Sequence, residues 1–247
     1  MNRAPRHRPE TSLAAVADRF RPEAYTVTAV LTRRDAAAYD RLLTDTYEPL
    51  GFLSERVLPG ADSRRYLIRY HQTPIAIFRL TEVRDADAPY HRWLPAEVSG
   101  PGARWLEVNN VIVAAEFRAT IVLGLLLYES ARLAHAMGFD AVVGVTRLQT
   151  LRFFVEFGVV PVDHPPLHLL GRDDINDFLI FYNTRDRDSV RYMHRRAQHW
   201  FHQQYVLRCI QARCRRLTAE SACGAGTPRA DPAPRAAAVE EAVECPR

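Results

Sequence analysis

Apolar and polar positions along this chain follow two rhythms in alternation. Residues 25–31 (YTVTAVL) are rich in β-branched side chains and read as a strand, whereas Arg33–Tyr47 carries apolar residues at helical spacing. Residues 66–70 (YLIRY) and 75–83 (IAIFRLTEV) read as two strands joined by a hairpin-length connection, His71-Gln72-Thr73-Pro74. Trp105–Val113 (WLEVNNVIV) is a further strand. A long helix is expected over residues 117–137, with Gly138 placed where a helix stops. Residues 141–145 (AVVGV) form a short apolar run of the buried-strand type, Leu148–Glu156 a short helix ended by Gly158, and residues 177–182 (DFLIFY) a closing strand. The order β-α-β-β-β-α-β-α-β predicts an α/β fold with a mixed central sheet, the long helix crossing over between two central strands. Residues 186–217 then read as a long, Arg-rich helix.

The two ends break this pattern. Residues 1–22 are rich in Arg and Pro and read as a flexible arm with a short helix near residues 13–20; residues 221–247 carry almost nothing large and apolar and read as a disordered tail. The expected organisation is therefore an arm (1–22), one α/β domain (23–184), a basic helical extension (185–220) and the tail (221–247). A length of 247 residues with 47% hydrophobic positions suits one substantial core and excludes a wholly disordered chain. The longest uncharged apolar run, residues 121–128, is far short of a membrane span, and no apolar stretch follows the basic N-terminus as a secretory signal would require. The expected location is the cytoplasm, with peripheral contact at a membrane surface as the alternative.

Charge changes the picture in one place. The net charge is +4, and every basic residue is Arg. Residues 186–217 hold eight Arg against two Asp, a local +6 that leaves the rest of the chain at −2. Val190, Met193, Ala197, Trp200, Phe201, Tyr205, Leu207 and Ile210 give this helix one packing side. Its Arg side reads either as a solvated face or as a landing surface for an acidic partner such as an acyl carrier protein or an anionic membrane. Interleaved aromatics are few, so nucleic acid is not expected. The four Cys lie near the C-terminus without metal spacing, and His164 and His168 flank a Pro pair with no third ligand near, so no metal is expected.

The candidate chemistry sits between Trp105 and Phe157. The strand VNNVIVAAEFR, the helix continuing LLLYES to LAHAMGFD, the strand AVVGV and the FFVEFG turn resemble the core of the GCN5-related N-acetyltransferase superfamily. With its flanking elements the resemblance covers residues 25–183. The stretch from Asp62 to Leu80 is similar, within that superfamily, to acyl-homoserine-lactone synthases and long-chain N-acyl amino acid synthases. These have a Tyr-Leu strand, a turn, a strand ending Arg-Leu, and a Glu on the next strand; Arg79 and Glu107 match that Arg and Glu. Asn110 stands where the lactone synthases have an Arg, which disfavours a homoserine lactone product and leaves other amines open.

The resemblance implies transfer of an acyl group, medium or long, from a phosphopantetheine thioester (acyl carrier protein or coenzyme A) to a primary amine such as an amino acid. Glu107, with Asn109 on its face by strand alternation, would help deprotonate the amine. Arg79 would hold an acceptor carboxylate, unless it serves only to pair with Glu82 or Glu107. The backbone of Val111, Ile112 and Val113 would grip the pantetheine arm and polarise the thioester carbonyl. Arg118, Ala119, Thr120, Ile121 and Val122, in a loop running on to Gly124, would hold a phosphate at a helix N-terminus. Two departures from the family stand out. No glycine occupies either family position in that loop, and Phe154 replaces the Tyr that protonates the leaving thiolate. The alternatives are an acetyl-CoA-dependent N-acetyltransferase of a small amine, peptide or protein, and a non-catalytic protein of the same shape that binds a carrier or a membrane.

Overall fold

The structure, a computed structural model of the chain, describes residues 18–50, 62–83, 93–167 and 176–224. A single 3-10 turn, Pro22–Ala24, leads into β1 (Tyr25–Ala29) and then α1 (Arg33–Tyr47). Thr32 caps α1 reciprocally: its hydroxyl accepts from the Asp35 N–H, while the Asp35 carboxylate accepts from the Thr32 N–H. The hairpin β2 (Ser63–Tyr70) and β3 (Thr73–Val83) follows, then the short α2 (Ala96–Ser99), β4 (Trp105–Val113) and α3 (Val122–Ala136). Next come β5 (Ala141–Arg147), α4 (Leu148–Glu156), β6 (Val160–Pro161), β7 (Asp177–Asn183) and the long α5 (Arg187–Gly224).

The strands form one sheet in the order β1-β2-β3-β4-β5-β7-β6. Every pairing is antiparallel except β4 with β5, where α3 makes the crossover expected of a parallel pair. One face of the sheet, through Phe78, Leu80, Leu106, Val142 and Ile180, packs in the main core with α3 and the first half of α5. The other face carries two smaller clusters. Leu67, Ile77 and Ile112 meet Tyr39 of α1, while Trp105, Ala141, Val143, Leu179 and Phe181 meet Leu94.

Several expectations are corrected. The helix begins at Val122 rather than at residue 117. Residues Ala115–Phe117 form a separate 3-10 turn, and the Thr120 hydroxyl donates to the Phe117 carbonyl at 2.6 Å, turning the chain before the helix starts. Phe117 and Ile121, both buried, are four residues apart and mimic a helical face in the sequence. The β2–β3 turn is tighter than expected: His71, at φ +46°, and Gln72 make the turn, and Thr73 and Pro74 already belong to β3. The two-residue β6 was not foreseen. Phe20, assigned to the arm, is buried at 4% exposure in the main core. The last helix runs past residue 217 to Gly224, and its described buried side chains lie in its first half. Met193, Ala197 and Phe201 are buried, whereas Leu207 and Ile210 are 51% and 54% exposed. The expected segments at residues 13–17, at His168 and in the tail beyond 224 lie outside the described residues.

Gly124 has a packing role. A Cβ there would fall 2.6 Å from the Trp200 ring, so glycine lets the α5 indole lie against the α3 backbone. Trp200 also meets Phe153, Phe157 and Phe201 edge-on, which locks α3, α4 and α5 together. No described helix is long and apolar enough to cross a membrane.

Candidate active site

The parallel ladder between β4 and β5 is short. Trp105, Leu106 and Glu107 pair with Ala141, Val142 and Val143, and there the ladder ends. β4 continues on β3 as far as Val113 paired with Ala76, and β5 continues on β7 as far as Arg147 paired with Asp177. The sheet therefore splits into a V whose arms are the second halves of β4 and β5.

A bulge in β4 lies on one arm. Ile77 pairs with Ile112 and Arg79 with Asn109, so Phe78 faces two residues, Asn110 and Val111. Asn110 takes up the extra residue at φ +52°, a conformation Asn tolerates better than most side chains. Beyond the bulge the Ala114 N–H donates to the Ile75 carbonyl at 2.8 Å. Backbone groups alternate along an antiparallel strand. Val113 and Val111 therefore turn theirs away from β3, toward the opening, and Ile112 turns its own toward β3. Of the three residues expected to contact the donor through the backbone, two face the opening and Ile112 does not; the Ile112 side chain instead packs under α1.

The two faces of the opening differ chemically. On the α3 side lies an apolar slot of about 60 Å³, lined by Val108, Val111, Leu126, Val142, Val145 and Phe154, among others. Val111, on the α3 face, and Val145, which alternates with Val143 on the other face, are 41% and 40% exposed and form the lips of the opening. Phe154 lines the slot, and the two hydroxyls beside it are engaged. The Tyr182 hydroxyl donates to the Ser189 carbonyl at 2.7 Å, with its pKa pushed above the ordinary range by burial. The Ser130 hydroxyl donates to the Leu126 carbonyl.

The α1 side carries a polar row. Arg79, only 7% exposed, donates from Nε to Asn109 Oδ1 at 2.5 Å. Asn109 Nδ2 donates to Thr81 Oγ1 at 3.4 Å, and Thr81 shares a hydrogen bond of 3.0 Å with Ser63. Glu107 stands opposite Thr81 in the register, half-buried, on the same face as Asn109. The structure thus brings Arg79, Glu107 and Asn109 together, with Glu107 and Asn109 sharing a face as the strand alternation implied. Glu82 lies on the other face and pairs with Arg104 at 3.4 Å.

A residue that sequence reasoning missed completes this side. Tyr39, from α1, is 1% exposed, and its hydroxyl leans toward Asn110 without closing a hydrogen bond. Burial pushes its pKa up, while Asn110 and the nearby Arg79 and Arg65 guanidinium groups pull it down. Tyr47, whose pKa burial also raises, feels the Arg79 charge as well. Nothing in the residue pattern marks either tyrosine beyond its place on a helix.

The expected phosphate loop is rearranged. Arg118 and Ala119 are exposed, and the Arg118 Nε donates to the Val113 carbonyl at 3.1 Å, tying the turn to β4. Thr120 is half-buried, while Ile121 and Val122 are fully buried. The Arg118 and Thr120 N–H groups donate to the Ala115 and Phe117 carbonyls, and because α3 starts at Val122 with no side-chain cap from Ile121, its first turn also carries open N–H groups. Gly124 serves the Trp200 contact instead of a phosphate loop. A wider open groove of about 700 Å³ runs between β1, α3 and α5, away from the polar row. Among the described residues no cluster of His, Cys, Asp and Glu could hold a metal ion, and His164 stacks on Trp93 at 3.8 Å.

No protein-family model matches the chain, and no curated protein sequence matches it. Solved structures do. An N-acyl amino acid synthase from uncultured soil microbes, FeeM, superposes with a TM-score of 0.53 at 13% identity, covering 66% of this chain and 92% of its own. BjaI, a CoA-dependent acyl-homoserine lactone synthase, gives 0.51 at 15% identity over 71% and 89%. NAA60 of Arabidopsis thaliana, solved with acetyl-CoA, gives 0.51 at 10% identity over 66% and 99%. The V-shaped opening of the sheet, the β4 bulge beside it and this likeness agree: the chain has the fold of the GCN5-related N-acetyltransferases, extended by a long C-terminal helix.

Proposed function

We propose that the chain is an N-acyltransferase that moves an acyl group from a phosphopantetheine thioester to a primary amine bearing a carboxylate, an amino acid being the simplest case. One observation carries the reading. A single opening in the sheet has an apolar slot on one face and the Arg79–Asn109–Thr81 row with Glu107 on the other. The acyl thioester enters between the lips Val111 and Val145, and the acceptor lies on the α1 side, its carboxylate on Arg79.

Attack requires a neutral amine. Glu107 takes the proton, directly or through water, as the nitrogen bonds to the thioester carbon. The carbonyl becomes an oxyanion facing the backbone of Val111, and the tetrahedral intermediate collapses by breaking the C–S bond. With Phe154 and the engaged Tyr182 in the slot, the departing thiolate takes its proton from solvent. Arg118 and the first turn of α3 suit a single phosphodiester. That arrangement favours an acyl carrier protein as donor over coenzyme A, whose pyrophosphate the family usually cradles with glycines.

A second reading, transfer of acetyl from acetyl-CoA, is favoured by the slot size, since about 60 Å³ suits a short acyl group without rearrangement. The test is mass spectrometry of products formed from an amino acid mixture with either acyl carrier protein thioesters of graded length or acyl-CoA. An N-acyl amino acid from the carrier donor supports the first reading, and acetylated product from acetyl-CoA alone supports the second. No product from either donor overturns both and leaves a binding protein of the same shape.

A further inference from the structure

The long helix α5 changes character along its length. Its first half is docked, with Met193, Ala197 and Phe201 buried and Trp200 set against Gly124. The docking side fades at Tyr205 and Arg208, where Arg21 lies over the Tyr205 ring and the Arg208 guanidinium over Phe20. From there a second apolar stripe appears, turned by about a third of a turn from the docking side. Leu207, Ile210, Cys214 and Leu217 follow a 3-4-3 spacing, which keeps them on one side of an α-helix. Leu207, Ile210 and Leu217 are 51%, 54% and 56% exposed, Val206 beside them is 38% exposed, and Cys214 is exposed. The stripe spans roughly 16 Å at a rise of about 1.5 Å per residue.

Charge selects what meets it. Residues 206–224 carry Arg208, Arg213, Arg215 and Arg216 against Glu220, a net +3 in a chain whose whole charge is +4. A second copy of the same stripe would bring two segments of net charge +3 together, so self-pairing is opposed. A short aliphatic stripe among arginines, with no acidic residue between residues 206 and 219, matches a surface that is apolar beneath and anionic above. We propose that the outer stripe of α5 is a docking surface for an anionic lipid bilayer. Val206, Leu207, Ile210 and Leu217 enter the headgroup boundary, and the exposed Arg213 and Arg215 extend their aliphatic stems to reach lipid phosphates. The inference does not depend on the acyl transfer proposed above, because it concerns a surface remote from the sheet opening.

The test is co-sedimentation of the full chain with vesicles of phosphatidylcholine alone and of phosphatidylcholine mixed with phosphatidylglycerol. Binding is expected to the mixed vesicles only. Leu207→Glu with Ile210→Glu should lower the partition coefficient at least about tenfold, the loss of one buried leucine-sized side chain or more. Arg213→Gln should lower it about fivefold, and high salt should weaken it. Both changes fall on exposed positions, and an unaltered thermal midpoint confirms that the domain is intact. No binding to mixed vesicles overturns the proposal, as does binding indifferent to the Leu207 and Ile210 changes. It is equally overturned if sedimentation shows a dimer that those changes dissociate, which makes the occupant a second copy. Capture of an acidic carrier protein by the stripe without vesicle binding makes the occupant a protein, and the proposal fails.

Discussion

Tyr39→Phe separates what a buried hydroxyl costs from what it does. The Tyr39 ring is packed among Leu67, Ile77 and Ile112, and the Arg65 guanidinium lies 5.3 Å from its centroid. Its hydroxyl is shut away from water and closes no hydrogen bond. A buried polar group in that state costs about 1–3 kcal/mol, and replacing it with an apolar group of the same shape recovers part of that cost. Phe keeps the ring and leaves a gap of one oxygen, which takes back a little through lost packing. The expected net effect is a gain of about 1 kcal/mol, a rise in thermal midpoint of about 2–4 °C for a domain of this size. Circular dichroism melts and urea titrations of the two proteins measure it. A loss of more than about 1 kcal/mol would refute the reasoning, because it would mean that the hydroxyl is satisfied in the folded protein. Activity supplies the second half of the test. If the hydroxyl is kept for an acceptor held on Arg79, its removal raises the acceptor KM by up to about tenfold, the worth of one hydrogen bond, and leaves kcat nearly unchanged. A variant that is more stable and equally good at binding acceptor would show that the hydroxyl has no part in the site.

Other expectations follow from single contacts. Glu107→Gln should lower kcat/KM by about 10²-fold or more, with partial recovery at high pH where more of the amine is already neutral; equal activity at neutral pH would remove Glu107 from the mechanism. Gly124→Ala puts a methyl group 2.6 Å from the Trp200 ring and should cost about 1–3 kcal/mol in urea unfolding, part of which a second change, Trp200→Leu, restores. Gly144→Val narrows the apolar slot, where a Cβ meets only ordinary contacts with Val108, so the fold should hold while the preferred acyl chain shortens in the product spectrum. Asp18 accepts hydrogen bonds from the Tyr70 hydroxyl and the His71 ring, and both hold its carboxyl below the ordinary value. Its contribution, under about 1 kcal/mol for so exposed a group, is complete above the unfolded carboxyl value of about 3.9 and lost as pH falls through the lower folded value. Asp18→Asn should thus lower the melting temperature near neutral pH, with the difference from the parent closing in acid.

Elements whose identity rests on local rhythm were legible end to end. Arg33–Tyr47, Trp105–Val113 and Leu148–Glu156 have the bounds their patterns imply, because a capping Thr, a run of β-branched residues and a stopping Gly act within a few positions. The start of α3 was hidden because Phe117 and Ile121 face the core from a 3-10 turn and a helix cap with the spacing of one helix. The two sides of α5 were hidden because one apolar count runs through Leu207 and Ile210, although these side chains turn away from the domain on which Arg208, between them, still rests. Gly124, expected only as the end of a phosphate-holding loop, is a seat for Trp200, a contact between residues far apart in sequence.

The site itself was half legible, and Asn110 marks the dividing line. Alternation correctly puts Glu107 and Asn109 on one face with Arg79 across the pair. Carried further without interruption, it would put Val111 there too, leaving the α1 side apolar beyond Asn109 and the slot without one of its lips. The extra residue at φ +52° reverses the alternation, so Val111 turns to the slot and Ile112 goes under α1. A pair of Asn in the middle of an apolar strand is the only trace of this in the sequence, since Asn adopts that backbone more cheaply than its β-branched neighbours. The bulge thus lets one strand carry a polar row on one face and a lip of the apolar slot on the other, two residues apart, at the point where the sheet opens.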